Sequence, residues 1–326
     1  MRGDLRAGDI KTTMSIDAGK EKHIQILLST FNGEKYLREQ LDSFLRLERF
    51  DQCCVLIRDD GSTDTTPQIL KEYVRNPAFT VVFGENIGVN ASYQWLIAHS
   101  DPTCDYFAFS DQDDVWLPQK LSQAMAALRQ EPEGTPLLFA SRSQITDAVL
   151  NPIGFSALPV RGISFYNAMV QNVLPGHTQV FNRALRNALT EHGCLEAHMV
   201  DWWLYLTASA VGKVVFSEEC QVLHRQHGTN SVGYRLDFLS NLRRRIQAVR
   251  QGKGNAISRQ LSAFRRSWSE SLPKEYESEL SAYLDGLGGF FSRVSYLRHS
   301  RIFRQKRLED LAFHLFYLFG KYDLRG

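Results

Sequence analysis

The sequence predicts an α/β fold, in which helices flank a mostly parallel sheet. From residue 24 onward, short apolar runs rich in β-branched and aromatic residues alternate with stretches of helical period. This alternation is typical of parallel strands joined by crossover helices. The apolar runs are nearly continuous, as expected for strands that are buried on both faces of a sheet.

The individual elements follow in order along the chain. Four apolar runs that end in polar turns predict strands, namely HIQILLST, CCVLIRDD, FTVVFGE and YFAFS. Between them lie three predicted helices, EKYLREQLDSFLRL, TTPQILKEYV and ASYQWLIAH. Further on we expect a helix near residues 119 to 130, strands PLLFAS and TQVFN, helices RALRNALTEHG and VDWWLYLTASAVG, and strand KVVFS.

The composition is that of an ordinary globular enzyme of 326 residues with a net charge of +2. No apolar run is long enough to cross a bilayer. Residues 1 to 22 lack the apolar core of a signal peptide, so we expect a disordered tail there. The five cysteines are odd in number and show no zinc spacing, which favours a reduced, cytoplasmic protein.

An acidic cluster ends the fourth predicted strand, in the segment FSDQDDVWLPQKL at residues 109 to 121. Ligands bind at the carboxyl edge of such sheets, where Asp111, Asp113 and Asp114 would repel one another without a cation. Carboxylate oxygens suit Mg²⁺ or Mn²⁺, which share their coordination with substrate phosphates. The cluster therefore indicates a metal and a diphosphate substrate. The alternative is a solvated turn in which Asp113 or Asp114 caps the next helix.

Polar residues follow the first three predicted strands and should meet the acidic cluster at the same edge. They include Ser29, Thr30, Asn32, Asp59, Asp60, Gly61, Ser62, Asn86 and Gly88. Asp60, in DDGSTDTT, could accept the imide N–H of a uracil or thymine. Taken alone, this segment is an ordinary strand-to-helix turn, in which Gly61 permits the turn and Ser62 or Thr63 can cap the helix.

Four motifs in order, LLSTFNGEKYL, RDDGSTD, ENIGVNASYQWLI and FSDQDDVWLPQKL, resemble the nucleotide-sugar domain of family-2 inverting glycosyltransferases, which have the GT-A fold. The resemblance covers residues 24 to about 233. It is closest to the rhamnosyltransferase-like branch that builds bacterial surface polysaccharides, through STFNG, SDQDDVW, GHTQVFN and RQHGTNSVG.

The resemblance implies roles for individual residues. Thr30, Phe31 and Asp60 would hold the nucleotide base, and Asn32, Asn86 and Gly88 would lie near the nucleotide or ribose. Asp111 and Asp113 would bind or orient Mg²⁺ or Mn²⁺ and the diphosphate, whereas Asp114 ranks lower as a possible helix cap.

By the same resemblance, Asp201 is the candidate catalytic base in MVDWWLYL, since an inverting transfer needs a group that takes the acceptor hydroxyl proton. The family commonly has an acid before this position, whereas this chain has Val200. The alternative role of Asp201 is a favourable acid in the first helical turn. Trp202 and Trp203 could stack on a sugar or diphospholipid, although core packing is expected for at least one of them.

Three further residues are candidates near the acceptor or diphosphate. His227, in HRQHGTN, could be a metal ligand or a phosphate donor, and Arg225 could pair with phosphate oxygens. His177, beside Gly176, could line the acceptor pocket. The alternative for each histidine is a structural side chain bonded to the backbone.

We expect a catalytic domain at residues 23 to 234 and a basic helical region at residues 235 to 326. The latter has 18 Lys and Arg against 9 Asp and Glu. Its arginines lie among Phe, Leu and Tyr, a composition suited to an anionic membrane surface. The alternative is a helical appendage packed on the catalytic domain. The chain has no recognised nucleic-acid module, so we expect no nucleic-acid partner.

The expected function is a metal-dependent inverting sugar transfer, and the resemblance implies dTDP-L-rhamnose as donor and a lipid-linked saccharide as acceptor. A UDP-hexose or UDP-N-acetylhexosamine donor is the alternative within the same fold. A non-catalytic member of the fold that binds a saccharide or partner is a second alternative, disfavoured by the intact carboxylates. A nucleotidyltransferase is a third, disfavoured because no glycine-rich basic loop follows the first strand.

Overall fold

The computed structural model describes residues 23–193, 197–227, 255–268 and 270–324. Its strands, in chain order, are β1 (Ile24–Thr30), β2 (Cys53–Asp59), β3 (Phe79–Phe83), β4 (Tyr106–Ser110), β5 (Val115–Trp116), β6 (Leu137–Thr146), β7 (Pro152–Phe155), β8 (Val180–Asn182) and β9 (Lys213–Arg225). Its helices are α1 (Leu37–Leu45), α2 (Thr66–Tyr73), α3 (Val89–Ala98), α4 (Lys120–Leu128), α5 (Phe165–Ala168), α6 (Arg183–His192), α7 (Val200–Val211), α8 (Ala256–Trp268), α9 (Lys274–Gly286), α10 (Phe290–His299) and α11 (Arg307–Leu318).

The strands of the described residues form one sheet in the order β3-β2-β1-β4-β8-β6-β9-β5, and β7 pairs with β6. The pairs β1 with β2, β1 with β4, and β2 with β3 are parallel, as predicted. In contrast, β8 runs antiparallel to β4 and β6, β5 to β9, and β7 to β6. The α/β prediction is confirmed, and the sheet is more mixed than predicted.

The sheet is buried on both faces because side chains alternate along each strand. Ile26 and Leu28 of β1 belong to one apolar core, together with Leu41 and residues of α2 and α4. Leu27 points to the other side, into a core shared with Leu96 of α3 and with α6 and α7. The nearly continuous apolar runs in the sequence follow from this two-sided burial.

The carboxyl ends of the central strands meet at one edge. Thr30 lies beside Asp59, and Leu28 lies beside Ser110, the last residue of β4. The edge also receives the ends of β6 and β9, which pair in parallel up to Thr146 and Arg225. The convergence of polar residues that the sequence predicts is therefore observed.

The C-terminal helices extend the core that surrounds α7. Phe264 on α8 meets Trp203 edge-on with ring centroids 5.3 Å apart, and Tyr276 on α9 stacks on Phe165 at 4.5 Å. The described part of the predicted basic region is thus helical and packed on the sheet domain. The predicted tail at residues 1–22 and the segment at residues 235–254 lie outside the described residues, and a boundary at residue 234 stays a prediction.

Among the residues that the structure describes, no helix combines the length and apolarity required to span a bilayer.

Candidate active site

The acidic turn between β4 and β5 is fastened to the end of β1. Gln112 accepts a hydrogen bond from the Phe31 N–H through Oε1 at 2.9 Å, and its Nε2 donates to the Phe31 carbonyl at 3.0 Å. A side chain on Gly33 would clash with the Gln112 amide, since an ideal Cβ there lies 2.4 Å from Oε1. These contacts fix the acidic turn against the loop that follows β1.

Asp111 is the accessible carboxylate of the turn, with 43% of its side chain exposed. Its Oδ2 lies 3.7 Å from Nδ1 of His177, and the Tyr93 hydroxyl lies 3.3 Å from its Oδ1. Desolvation, followed by the negative charges of Asp114 and Asp113, raises the pKa of Asp111 to about 7. A cation at this position would restore the ionised form.

Asp113 pairs with His227, as Nε2 of the ring lies 2.9 Å from Oδ2. The His227 ring packs on Tyr36, with centroids 4.8 Å apart. Burial and the charge on Asp114 raise the pKa of Asp113 above its ordinary value. The structure thus joins two of the predicted metal ligands, Asp113 and His227, directly to each other.

Asp114 is fully buried and does not cap a helix, because α4 begins only at Lys120. Its Oδ1 lies 2.9 Å from Nδ1 of His224 and accepts the Arg225 N–H at 3.1 Å. Burial opposes ionisation, but His177, His224 and the Arg225 N–H outweigh it and lower the pKa of Asp114. The suggestion of a helix cap from sequence is therefore wrong.

His177 and His224 stack face to face above Asp114, with ring centroids 4.2 Å apart and planes 3° from parallel. Burial lowers the pKa of His177 to about 3, so the ring is neutral and has a nitrogen lone pair available. His177 Nε2 lies 2.8 Å from the Ser143 hydroxyl. His177 therefore packs against the acidic turn, and its predicted position in the acceptor pocket stays a prediction.

A donor set for a divalent cation is present at this point. One ligand atom each from Asp114, His177 and His224 lies within 4.8 Å of the others. Within the described residues, Oδ2 of Asp114 is buried and has no hydrogen-bond partner, which is costly unless a cation or proton compensates it. These residues fit a metal, and they differ from the predicted set of Asp111, Asp113 and His227, whose assignment stays a prediction.

Arg225 is buried and structural. Its guanidinium donates to the carbonyls of Asp113 and Ala148 and pairs with Glu39, and it lies 4.4 Å from the centre of the Tyr36 ring. These contacts occupy the side chain inside the protein, so the predicted pairing with phosphate is wrong. Arg225 instead holds the end of β9 against the acidic turn.

The candidate nucleotide end of the site lies beyond Phe31. The side chain of Thr30 donates to Asp59 at 3.0 Å, and the side-chain oxygen Oδ1 of Asn32 accepts the Thr63 N–H at 2.8 Å. Phe31 itself is 45% exposed and available for a ligand. Asn86 is also exposed.

Asp60 lies at this end but is turned inward. It is buried and pairs with Arg58, and it accepts the N–H groups of Ile87 and Gly88 at 2.9 Å each. Gly88 has a φ of 85°, a backbone conformation that favours glycine. Asp60 therefore orders the loop that carries Asn86 and Gly88, and its predicted contact with a base stays a prediction.

Asp201, the predicted base, lies in the first turn of α7. Its Oδ2 accepts hydrogen bonds from Asn172 at 2.9 Å and from the Gly176 N–H at 3.2 Å, and its Oδ1 accepts the Trp202 N–H at 2.8 Å. Burial raises the pKa of Asp201 to about 6 despite these donors. A carboxylate with this pKa is ionised at neutral pH yet basic enough to accept a proton.

Trp202 and Trp203 belong to the core and not to a ligand surface. Both are buried, and the Trp202 indole N–H donates to the Ala168 carbonyl at 2.6 Å. The predicted stacking on a sugar or diphospholipid is therefore wrong for both. The helix α7 is apolar all round, and this pattern indicates burial.

Three residues that contact the acidic turn or His177 are not predicted from the sequence. Nothing in the sequence around Gln112 predicts its hydrogen bonds with the backbone of Phe31. His224 begins the segment HRQHGTN, and nothing in that segment indicates its contact with Asp114. Lys120 lies fully buried, donates to the His177 carbonyl at 2.8 Å, and has its pKa lowered to about 7 by burial. A lysine at a helix start is usually solvated, so nothing in the sequence marked it.

Comparison with known protein families supports the resemblance. Residues 25–158 match the family model described as Glycosyl transferase family 2. The match covers less than half of the chain, and the matched segment is similar to the domain of that family. The matched segment includes nearly all of β1 and the whole of β2 to β7, and therefore the acidic turn, whereas His177, Asp201 and His224 lie beyond it.

The curated relatives of this chain described below share little more than a quarter of the aligned residues with it. The chain is 27% identical over 214 residues to an uncharacterized protein of Mycobacterium tuberculosis, covering 63% of this chain and 59% of that protein. The chain therefore spans less than two thirds of that relative. It is 26% identical over 238 residues to the dTDP-rhamnosyl transferase RfbG of Shigella flexneri, covering 67% of this chain and 77% of that protein.

Solved structures show the same fold. One is the TarS 1–349 fragment of S. aureus in complex with UDP-GlcNAc, with a TM-score of 0.54 at 16% identity, covering 92% of this chain and 89% of that one. Another is a mannosyltransferase of Pyrobaculum calidifontis in complex with GDP-Man and Mn²⁺, with a TM-score of 0.52 at 15% identity, covering 94% and 85%. The predicted GT-A fold is confirmed.

Proposed function

We propose that this protein is an inverting glycosyltransferase that moves a sugar from a nucleoside diphosphate to a saccharide acceptor. The observation that supports this most is the short turn Gly176–Thr178, which connects Asp201 to the acidic turn. The Gly176 N–H donates to Asp201, and the next residue, His177, lies 3.7 Å from Asp111. A basic carboxylate and a cluster suited to a cation are thereby held at one sheet edge.

In the proposed reaction, Asp201 takes the proton of the acceptor hydroxyl as that oxygen attacks the anomeric carbon. A new glycosidic C–O bond forms on one face of the sugar, and the bond to the diphosphate breaks on the other. Asn172 and the Gly176 N–H orient the carboxylate, since each donates to Oδ2. The departing nucleoside diphosphate takes the electron pair and needs positive charge nearby.

A divalent cation would supply that charge when bound. Asp114, His177 and His224 would hold it, and Asp111 is the adjoining accessible carboxylate. Because the set mixes carboxylate with imidazole, it suits Mn²⁺ better than Mg²⁺. Asp113 and His227, which the sequence also predicts as ligands, pair with each other at 2.9 Å, and their part in holding a cation remains a prediction.

For the donor, we propose dTDP-L-rhamnose, and the similarity to a dTDP-rhamnosyl transferase supports this choice. A UDP-hexose or UDP-N-acetylhexosamine is the alternative. For the acceptor, we propose a lipid-linked saccharide that becomes part of a cell-surface polysaccharide, reached by a protein on the inner face of the cytoplasmic membrane.

The proposal is tested by titrating the purified protein with dTDP, UDP and GDP in a calorimeter, each with and without Mn²⁺. Binding of dTDP that requires Mn²⁺ and exceeds the other two supports the rhamnosyltransferase. A preference for UDP keeps the transferase and replaces the donor. The variant Asp113→Ala should bind the nucleotide more weakly, whereas Asp285→Ala, on α9, should bind it like the parent protein. Absence of binding by any nucleotide would favour the non-catalytic alternative.

A further inference from the structure

Helix α11 has a row of exposed apolar side chains on one face. Their spacing of three, four and four residues places them along a single stripe of a helix. Each is between 44% and 64% exposed, and we call the row the apolar stripe: Leu308, Leu311, Leu315 and Phe319. On the opposite face, Phe313 and Tyr317 are buried in the core. An exposed apolar row of this kind marks an interaction surface.

A second exposed apolar pair lies close to the end of this helix. Phe290 and Phe291 begin α10 and are both exposed. Arg293, two residues on, donates to the Leu318 carbonyl at 3.4 Å and pairs with Asp323 at 2.6 Å. These contacts tie the start of α10 to the end of α11, so both apolar groups belong to one region of the surface.

The charges around the stripe are arranged with the acids inward. The three acids within residues 290–324 are each paired with an arginine: Glu309 with Arg304, Asp310 with Arg161, and Asp323 with Arg293. None of the three is exposed. The exposed charged side chains of the same segment include Arg298, Lys306, Arg307 and Lys321. The rim of the apolar stripe is therefore cationic.

The apolar stripe and its cationic rim together suit some binding partners better than others. A second copy of the chain would meet this face through a two-fold contact, which would bring like cationic rims together. An anionic bilayer surface satisfies both features, since apolar side chains enter the acyl boundary while Lys and Arg remain at the headgroups. We propose that α11 binds anionic phospholipids through the apolar stripe, with the helix lying along the membrane plane.

Lipid binding by the surface of α10 and α11 deepens the proposed function, which places the protein at the membrane, and it needs no donor sugar. The composition of the basic region does not identify a lipid-binding face, whereas the exposed side chains of α11 do. Membrane binding and sugar transfer can therefore fail independently in experiments.

The test is sedimentation of the full chain with vesicles of phosphatidylcholine alone or mixed with phosphatidylglycerol. We expect about tenfold stronger binding to the anionic vesicles, weakened by high salt because surface charges are screened. The double variant Arg307→Glu with Leu311→Ser should lose about tenfold in binding. Its matched control is Leu45→Ser with Arg46→Glu, which changes the exposed last leucine of α1 and the exposed arginine that follows it and should bind like the parent protein.

Circular dichroism melting of both variants shows whether each remains folded, and a folded α11 variant with weakened vesicle binding supports the proposal. Equal binding to both kinds of vesicle, or a folded α11 variant that binds like the parent protein, overturns it. A dimer that the α11 variant disrupts, together with no vesicle binding, would assign the stripe to a second copy and would also overturn it.

Discussion

The Arg58 guanidinium and the Asp60 carboxylate form an ion pair that is almost wholly buried, with 6% and 3% of their side chains exposed. Arg58 also donates to the Glu85 carbonyl at 2.9 Å, and Asp60 accepts from the Gly88 N–H. The pair therefore holds the loop after β3 against the end of β2. One arginine orders the backbone beside the proposed nucleotide position.

Replacing Arg58 should destabilise the fold strongly. Arg58→Met leaves the Asp60 carboxylate buried without its cation, and breaking such a pair costs about 3 to 5 kcal/mol. Urea denaturation measures this loss. The matched control is Arg38→Met, which breaks an exposed pair with Glu72 and should leave the unfolding midpoint unchanged. Equal midpoints for both variants would contradict the structural role of Arg58.

Removing the base should separate transfer from binding. Asp201→Asn should lower the rate of sugar transfer by about 100-fold or more, because no carboxylate remains to take the proton. Donor binding measured by calorimetry should remain unchanged. A variant that transfers sugar at the parent rate would show that Asp201 is not the base.

The same residue should set the acid limb of the pH profile. Since burial raises the pKa of Asp201 to about 6, the base is ionised above this pH and protonated below it. At saturating Mn²⁺, the transfer rate should therefore fall as the pH drops through about 6. A profile that stays flat down to pH 5 would argue against this assignment.

A single methyl group near the base should disturb it. An ideal Cβ on Gly176 lies 3.1 Å from the Cβ of Asp201, which is too close for the carboxylate to keep its position. Gly176→Ala should lower transfer by roughly tenfold with little loss of stability, because small displacements of catalytic groups are costly. Gly154→Ala is the control, since its Cβ meets nothing within 4 Å. Equal activity of the two variants would contradict this geometry.

Cation binding should depend on pH through Asp111. Its pKa of about 7 means that protons compete with the metal at and below neutrality. The Kd for Mn²⁺ should rise by up to about tenfold per pH unit below 7, measured by calorimetry between pH 5.5 and 8. Asp111→Asn should weaken this dependence, and an Asn variant with the parent dependence would show that another group controls binding.

The sequence was sufficient for the parts of the fold that depend on local patterns. The spacing of apolar residues predicts the strands β1 to β4 and the helices between them. Parallel pairing of these strands then brings Thr30, Asp59 and Ser110 to one edge of the sheet. The place of Asp111 at that edge is predicted in the same way, whereas Asp201 is a candidate only through the family resemblance. These features depend on neighbouring segments, whose order along the chain fixes their order in the sheet.

The remaining features depend on contacts between distant segments. Nothing near Asp114 indicates that it will meet His224, because β9 pairs with β5 and β6 and only that pairing joins them. The same strand buries Arg225, which by residue type alone looked suited to phosphate. For Trp202 and Trp203, the apolar pattern on all sides of α7 indicates burial in the core, and this pattern is better evidence than the aromatic residue type.

The return of β9 has a consequence for how the molecule is made. Asp114 finds His224 and Arg225 across 110 and 111 residues of chain. During synthesis, three neighbouring carboxylates emerge long before these partners, so their repulsion is uncompensated until β9 docks. Contacts of such long sequence separation form slowly. We therefore expect the acidic turn to reach its final arrangement only after β9 docks.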